Sequence, residues 1–375
     1  MKIVSLVINH FINDNRVFKT AKSLQDAGHE MEIVALHKDG LERYELFHEV
    51  PVRRLRPRAM SLRDGNKLYG LIKYMSYCFL VVKKYRKADA WHCNDFEAML
   101  IGCVAKCTRP RLKLVYDCHE YERERNGISS TYRRFVRLFE PLAVRMAAAV
   151  ITVSEGIRLE YERIYHPRSL HLVMNVPHRA APPKSNTLRE LFKLRSDQKI
   201  YLYQGLLTHG RGVEMLLDVF GNMKDDRRVV VFMGNGRLVP MAQQYAAKSN
   251  NIFHHPAVPY EEIMRYTTSA DFGVNSMQNV SLNYYYALPN KLFEYIQAGI
   301  PIVTNNLFEC RKIVEDEGCG VVIEEFTKEG ILDAFDRIEG MSRDEIIQHM
   351  IPLREKYNWE NEEKKLVEIY RQLSK

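Results

Sequence analysis

The sequence lacks the patterns that mark membrane-spanning, secreted and nucleic-acid-binding proteins. No apolar stretch approaches the roughly 18 residues that a membrane-spanning helix needs. The apolar run at residues 2–8 is short, so we predict a first β-strand there rather than a signal peptide. No recognisable nucleic-acid motif accompanies the basic residues. These absences favour a cytoplasmic protein with no nucleic-acid partner.

Cysteine is also used sparingly. No Cys-x-x-Cys pair occurs, and the sequence shows no paired cysteine and histidine spacing typical of a metal site. The seven cysteines are Cys78, Cys93, Cys103, Cys107, Cys118, Cys310 and Cys319. We interpret them as reduced thiols, as expected inside a cell, and predict no metal site.

What is present is typical of a globular α/β protein. The chain has 375 residues, 46% of them hydrophobic and 27% charged, which suits two domains of nearly equal size. Residues 1–180 carry a net charge of +11 and the remainder −3, so the first half is suited to a negative partner. Short apolar strands alternate with amphipathic helices in both halves, which predicts parallel sheets. Three prolines between residues 177 and 185 mark a linker.

The most informative stretch is residues 289–303. Pro289 suits the first turn of a helix, and Gly299 ends that helix before a short buried strand. The free N–H groups of the helix start, together with Lys291, would hold an anion such as a diphosphate. Glu294 could accept hydrogen bonds from sugar hydroxyls beside it. The alternative is an ordinary surface ion pair between Lys291 and Glu294 at i and i+3.

Other candidate residues follow predicted strands, at the edge where parallel sheets bind ligands. Arg16 lies after the first strand and could meet a phosphate or an acceptor, or be a solvated first-turn arginine. His119 follows the strand at 112–116 and could donate to a sugar hydroxyl, or satisfy a loop carbonyl. The glycine-rich turn 205–212 lets backbone approach a phosphate that Arg211 neutralises, or is a surface turn.

Residues 68–87 form a predicted helix that is apolar in its middle and basic at its end. Lys83, Lys84, Arg86 and Lys87 follow an apolar run that includes Phe79. Two interpretations stay open: the helix lies on an anionic membrane surface, or it packs in the core with a solvated basic end.

Several of these segments resemble known sequences. Residues 289–303, the motif Asp117-x-His119-Glu120, and the segments 14–17, 27–29 and 154–156 are similar to family 4 retaining glycosyltransferases of GT-B architecture. The resemblance implies two Rossmann-like domains, 1–180 on the acceptor side and 186–350 for the nucleotide sugar, facing a central cleft. It also implies a helical segment, 351–375, that returns to the N-terminal domain.

The resemblance further implies roles for individual residues and the absence of a metal or cofactor. Arg211 and Lys291 would stabilise a leaving diphosphate, Glu294 would bind the ribose, and His119 would support the transferred sugar. The remaining binding candidates are Arg16, Gly205, Gly212, Asn235, Val258, Asn290 and Leu292. The implied reaction moves a sugar from a nucleotide sugar to a saccharide or lipid-linked saccharide, in polysaccharide or glycan synthesis.

The chain departs from the family pattern at two positions. Leu206 stands where an arginine is usual, and Tyr286 stands where many members have a first glutamate. These departures leave the donor sugar open and motivate an alternative, a sugar-nucleotide-binding protein without turnover. The positive first half also allows peripheral association with an anionic inner-membrane face.

Overall fold

The computed structural model describes residues 1–12, 14–57 and 67–375. The chain divides into two compact units. The first unit is Met1–Met174 together with Glu362–Lys375, and the second is Asn175–Asn361. Residues 13 and 58–66 lie outside the described part.

The first unit contains a sheet of eight strands in the order β3-β4-β2-β1-β5-β6-β7-β8. Its strands are β1 (Lys2–Leu6), β2 (Glu30–Leu36), β3 (Tyr44–Phe47), β4 (Val50–Leu55), β5 (Ala90–Asn94), β6 (Lys113–Cys118), β7 (Ala149–Thr152) and β8 (Leu170–Leu172). Only β3 is antiparallel to its neighbour among these described strands. β6 runs two residues further than predicted, so Asp117 lies inside the strand rather than after it.

Helices cover this sheet between successive strands. They are α1 (Asn15–Asp26), α2 (Lys67–Lys84), α3 (Asp95–Thr108), α4 (Ser130–Met146) and α5 (Glu155–Tyr165). The Asp14 side chain caps α1 by accepting from the Val17 N–H. Because parallel crossovers are right-handed, α2, α3, α4 and α5, whose strands proceed in one direction, share one face of the sheet.

The second unit contains a fully parallel sheet of six strands in the order β11-β10-β9-β12-β13-β14. They are β9 (Lys199–Gln204), β10 (Arg228–Met233), β11 (Ile252–His255), β12 (Phe272–Asn275), β13 (Ile302–Asn305) and β14 (Gly320–Ile323). Nearly every residue of β9, β10, β12, β13 and β14 is buried. Such continuous burial is typical of a parallel sheet covered on both faces.

Nine helices in this unit complete the pattern. They are α6 (Thr187–Leu191), α7 (Val213–Gly221), α8 (Val239–Ala246), α9 (Tyr260–Thr267), α10 (Leu282–Tyr285), α11 (Asn290–Ala298), α12 (Phe308–Val314), α13 (Lys328–Gly340) and α14 (Arg343–Lys356). α11 begins one residue after Pro289 and ends at Gly299, whose φ of +70° is the left-handed conformation that glycine tolerates best.

The last helix, α15 (Trp359–Ser374), begins in the second unit and ends in the first. Its packing residues are at most 3% exposed: Trp359, Leu366, Ile369 and Tyr370. Within the described residues, no helix is long and apolar enough to cross a membrane.

Candidate functional site

The loops after β9 and β10 interlock at the carboxyl edge of the second sheet. Gly205 N–H donates to the Met233 carbonyl at 2.9 Å, and Leu207 N–H donates to the Asn235 carbonyl at 2.9 Å. A Cβ on Gly234 would overlap the Gly205 carbonyl oxygen, and one on Gly236 would overlap the Leu207 carbonyl oxygen. Only glycine permits this close approach of two backbones. The result is a surface of main chain beside which a ligand can lie.

Gly212 closes the same loop and places Arg211. Its φ is +74°, and a Cβ there would overlap the Ser276 carbonyl oxygen and crowd Phe326. The Ser276 hydroxyl donates to the Arg211 carbonyl at 2.8 Å. These contacts leave the guanidinium over the Tyr284 ring, with Cζ 5.1 Å from the ring centre. Arg211 Nε is buried and has no hydrogen-bond partner in the part of the chain that the structure describes.

Lys291 lies in the first turn of α11 and is only 7% exposed. Its Nζ is 3.6 Å from the centre of the Tyr203 ring, and a Cβ on Gly205 would lie 3.8 Å from the same Nζ. Burial lowers the pKa of Lys291 well below 10.5, Arg211 lowers it further, and Glu294 partly opposes them. The structure therefore brings two cations to one sheet edge, where their charges repel.

Glu294 lies one turn later on α11 and is 8% exposed. Gln204 at the end of β9 donates its side-chain amide to the Glu294 carboxylate. Thr267 Oγ1 in turn lies 2.9 Å from Gln204 Oε1. This chain fixes the orientation of the carboxylate and leaves it beside Lys291.

The other predicted binding residues of this unit take different positions. Asn235 is exposed in the loop after β10, where its side-chain oxygen lies 3.4 Å from the Ala257 N–H, next to the half-buried Val258. Asn290 is exposed at the start of α11, whose N-cap Pro289 offers no side-chain acceptor. The side chain of Leu292 is fully buried and its N–H donates to the Pro289 carbonyl, so it serves the helix.

The first unit holds a different arrangement, centred on Asp117 of β6. Arg16 forms a bidentate pair with the Asp117 carboxylate, at 2.7 and 3.1 Å, and also donates to the Val173 carbonyl. His92 Nε2 lies 3.1 Å from the same carboxylate, and His92 Nδ1 lies 2.9 Å from the Tyr370 hydroxyl. Burial alone would raise the pKa of Asp117, but Arg16 and His119 outweigh it and hold the pKa well below 3.8. Arg16 is 5% exposed, and these contacts give its guanidinium a positioning role.

His119 lies between two carboxylates. Its ring Nε2 is 3.4 Å from Asp117 Oδ2, and its ring Nδ1 is 3.6 Å from Asp95 Oδ2. The backbone N–H of His119 donates to Asp95 Oδ1 at 3.0 Å. Burial alone would lower the pKa of His119, but Asp95 and Asp117 outweigh it and raise the pKa to about 9. The imidazole is therefore a cation at neutral pH.

Sequence reasoning did not assign roles to Asp95 or Asp117. The signal for Asp95 lies in its place directly after β5, next to β6 in the sheet, where Asn94 pairs with Asp117. Asp95 also has φ of +66°, which is unusual for a residue other than glycine and is common at functional sites. Tyr203, Gln204 and Thr267 were missed as well, because nothing local in the sequence marks them.

Two family models account for most of the chain. Residues 14–176 match a Glycosyl transferase 4-like domain. Residues 185–352 match Glycosyl transferases group 1. The two glycine-rich loops, Arg211 and α11 therefore lie in the group 1 match, and Arg16, Asp117 and His119 lie in the other.

One related sequence and two solved structures agree with these matches. The chain is 23% identical to an uncharacterized glycosyltransferase of Methanocaldococcus jannaschii, over 94% of this chain and 92% of that protein. It is similar in structure to sucrose-phosphate synthase from Thermosynechococcus elongatus, with a TM-score of 0.81 and 15% identity, over 100% of this chain and 99% of that one. It is also similar to Anabaena HepE in complex with UDP and glucose, with a TM-score of 0.73 and 16% identity, over 100% of this chain and 98% of that one. The predicted GT-B fold is confirmed.

Proposed function

Because its two matched domains and its fold make this chain a GT-B glycosyltransferase, we propose that it transfers a sugar from a nucleoside diphosphate sugar, with retention of anomeric configuration. We assign the acceptor to the saccharides or lipid-linked saccharides used in polysaccharide or glycan synthesis. The sequence resemblance to family 4 supports retention and a mechanism without a metal. The UDP complexes of HepE support a nucleotide sugar as the donor.

The observation that carries the proposal is the cation pair of the second unit. Neither Lys291 nor Arg211 has a carboxylate within 4.0 Å among the described side chains, although Lys291 is almost fully buried. Buried charges of one sign are unfavourable unless a counter-charge joins them. A diphosphate beside the glycine loops and the uncapped start of α11 would supply that charge. As the bond to the sugar breaks, charge grows on the diphosphate, and both cations would stabilise it.

We assign Glu294 to the ribose hydroxyls, because Gln204 holds its carboxylate in place beside the cations. The exposed Asn235 and the half-buried Val258 would flank the base, and Gly205 and Gly212 would let the main chain approach the phosphates. His119 would support the hydroxyls of the transferred sugar, as the resemblance implies. Its charge would then be set by the two flanking carboxylates.

A second candidate is a nucleotide-sugar-binding protein without turnover. Leu206 supports it, because this side chain is 59% exposed in the phosphate loop where the family has an arginine. Tyr286 supports it as well, because its ring packs against Phe308, 5.7 Å between centres, in place of a carboxylate.

The test is turnover with nucleotide sugars and saccharide acceptors. Glu294→Ala and Arg211→Ala should each greatly reduce transfer, whereas the exposed Lys248→Ala serves as a matched control. The anomeric configuration of the product, read by NMR, tests retention. Wild-type transfer rates in both variants would contradict the proposed transfer at this site. Donor binding without transfer to any acceptor would favour the second candidate.

A further inference from the structure

Two helices of the first unit expose apolar stripes that most helices would bury. In α2, Leu71, Ile72, Met75 and Phe79 are 57%, 40%, 54% and 70% exposed. Their spacing places them on one helical face. Tyr77, Cys78 and Val81 of the same helix are buried. α2 therefore packs on the sheet with one face and presents a second apolar face to solvent. Packing in the core, one of the two interpretations from the sequence, describes only the first of these faces.

α4 repeats this arrangement. Phe135, Leu138, Phe139 and Leu142 are 40%, 71%, 38% and 54% exposed, at a spacing that again forms one stripe. The opposite side of α4 is buried through residues that include Val136, Ala143 and Val144. A second exposed stripe of this size is not needed for packing inside the unit.

The two stripes belong to neighbouring helices. The Tyr74 hydroxyl of α2 donates to the Glu97 carbonyl of α3 at 2.6 Å, and the Tyr132 hydroxyl of α4 donates to the Glu97 carboxylate. α2 and α4 therefore both reach one residue at the start of α3, on the same face of the sheet. We call the exposed residues of α2 and α4 the two-helix surface.

The two helices expose charge of one sign, and the neighbouring acids Glu97 and Glu124 are already paired with Arg125, Arg133 and Arg137. α2 contains no Asp or Glu, and the only acid of α4, Glu140, is fully buried and accepts hydrogen bonds from three tyrosine hydroxyls. Six exposed cations flank the stripes and have no carboxylate within 4.0 Å among the described residues: Lys83, Lys84, Arg86, Lys87, Arg134 and Arg145. Lys83 follows Phe79, and Arg134 precedes Leu138, by one helical turn.

We propose that the two-helix surface docks on a bilayer that contains anionic lipids. The apolar stripes would enter the boundary between headgroups and acyl chains, and the cations would meet the lipid phosphates. Charge complementarity selects this occupant over a second copy of the chain, because two such surfaces placed face to face would repel. The proposal stands apart from the nucleotide-sugar site, since no residue of that site belongs to α2 or α4.

The test is sedimentation of the full-length protein with vesicles. Phosphatidylcholine vesicles with about one-third phosphatidylglycerol should bind the protein, and pure phosphatidylcholine should bind it far more weakly. Joint replacement of Lys83, Lys84, Arg86 and Lys87 by Gln should weaken binding about 600-fold, from about fivefold for each of the four cations. Phe79→Ser and Leu138→Ser should each weaken it about tenfold, from the apolar area they remove.

Matched controls are Ile351→Ser and Lys248→Gln, both exposed in the second unit. They should bind vesicles as the wild type does. Absence of wild-type binding, or equal binding by all variants, would overturn the proposal. A dimer in solution that Phe79→Ser and Leu138→Ser abolish would overturn it in favour of self-association. Nucleotide binding, measured on the same samples, reports separately on the second unit.

Discussion

Two clusters of buried charge, one in each unit, are arranged in opposite ways. In the first, Asp117 is surrounded by Arg16, His92 and His119, so every charge has a partner inside the protein. In the second, Lys291 and Arg211 lie together with no carboxylate in an ion pair, within the described residues. A paired network holds its own members in place, whereas an unpaired cluster attracts a ligand. The difference predicts that the first network matters most for stability and the second cluster for activity.

The largest effect expected is on stability, at Asp117. Asp117→Asn would leave the Arg16 charge buried without a counter-charge, which lowers the free energy of unfolding by about 3 to 5 kcal/mol. Denaturant unfolding measures this change. The exposed Asp225→Asn removes a surface ion pair with Arg227 and should change stability little. A loss below about 1 kcal/mol at Asp117 would mean that the pair is not a structural element.

Next is the effect of Lys291→Met on turnover. Methionine keeps the length of the side chain and removes a charge whose burial is unfavourable, so stability should stay equal or rise. Transfer should fall by on the order of 10² to 10³ because a cation at the leaving diphosphate is lost. Steady-state kinetics and thermal unfolding on one preparation separate the two effects. A loss of stability large enough to explain the fall in activity would contradict the comparison between the two clusters.

Much of the second unit was predictable because its signals are local. Pro289 and Gly299 bound α11 in the sequence, and the glycines of the two loops mark tight turns. The first network could not be predicted in the same way. Arg16 and Asp117 are 101 residues apart, and His92 and Tyr370 are 278 apart. Such contacts arise from the order of strands in the sheet, which local spacing does not encode.

The exposed stripe of α2 was beyond sequence reasoning for another reason. An apolar helical face has the same periodicity whether it is buried or meets solvent. Phe79 and Val81 are both apolar, yet they are 70% and 0% exposed. Only the packed structure separates the two faces.

A smaller effect is expected from pH, through His119. Its pKa is raised from 6.5 to about 9 in the folded protein, so its contribution to stability is fully present below pH 6.5 and is lost between pH 6.5 and 9. The shift corresponds to about 3 kcal/mol. Unfolding measured against pH should therefore show a steeper fall in the wild type than in His119→Asn. Parallel curves would show that the two carboxylates do not hold the proton.

The smallest effect expected is at Tyr203, whose ring lies under the Lys291 ammonium. Tyr203→Leu removes a cation–π contact worth about 1 kcal/mol and should weaken donor binding severalfold. Tyr203→Phe keeps the ring and loses only the hydroxyl that donates to the Leu206 carbonyl, so it serves as the matched control. Equal donor affinities for the two variants would show that the Tyr203 ring does not contribute to donor binding.

The most direct test is thermal unfolding of the wild type and Arg211→Met with UDP, GDP and ADP, their sugars, and the corresponding nucleosides. A ligand that binds the folded state raises its stability. We predict that one nucleoside diphosphate raises the wild-type unfolding temperature, that its nucleoside does so much less, and that Arg211→Met loses most of the difference. Equal shifts for both proteins, or no shift with any nucleotide, would contradict diphosphate binding by the cation pair of the second unit.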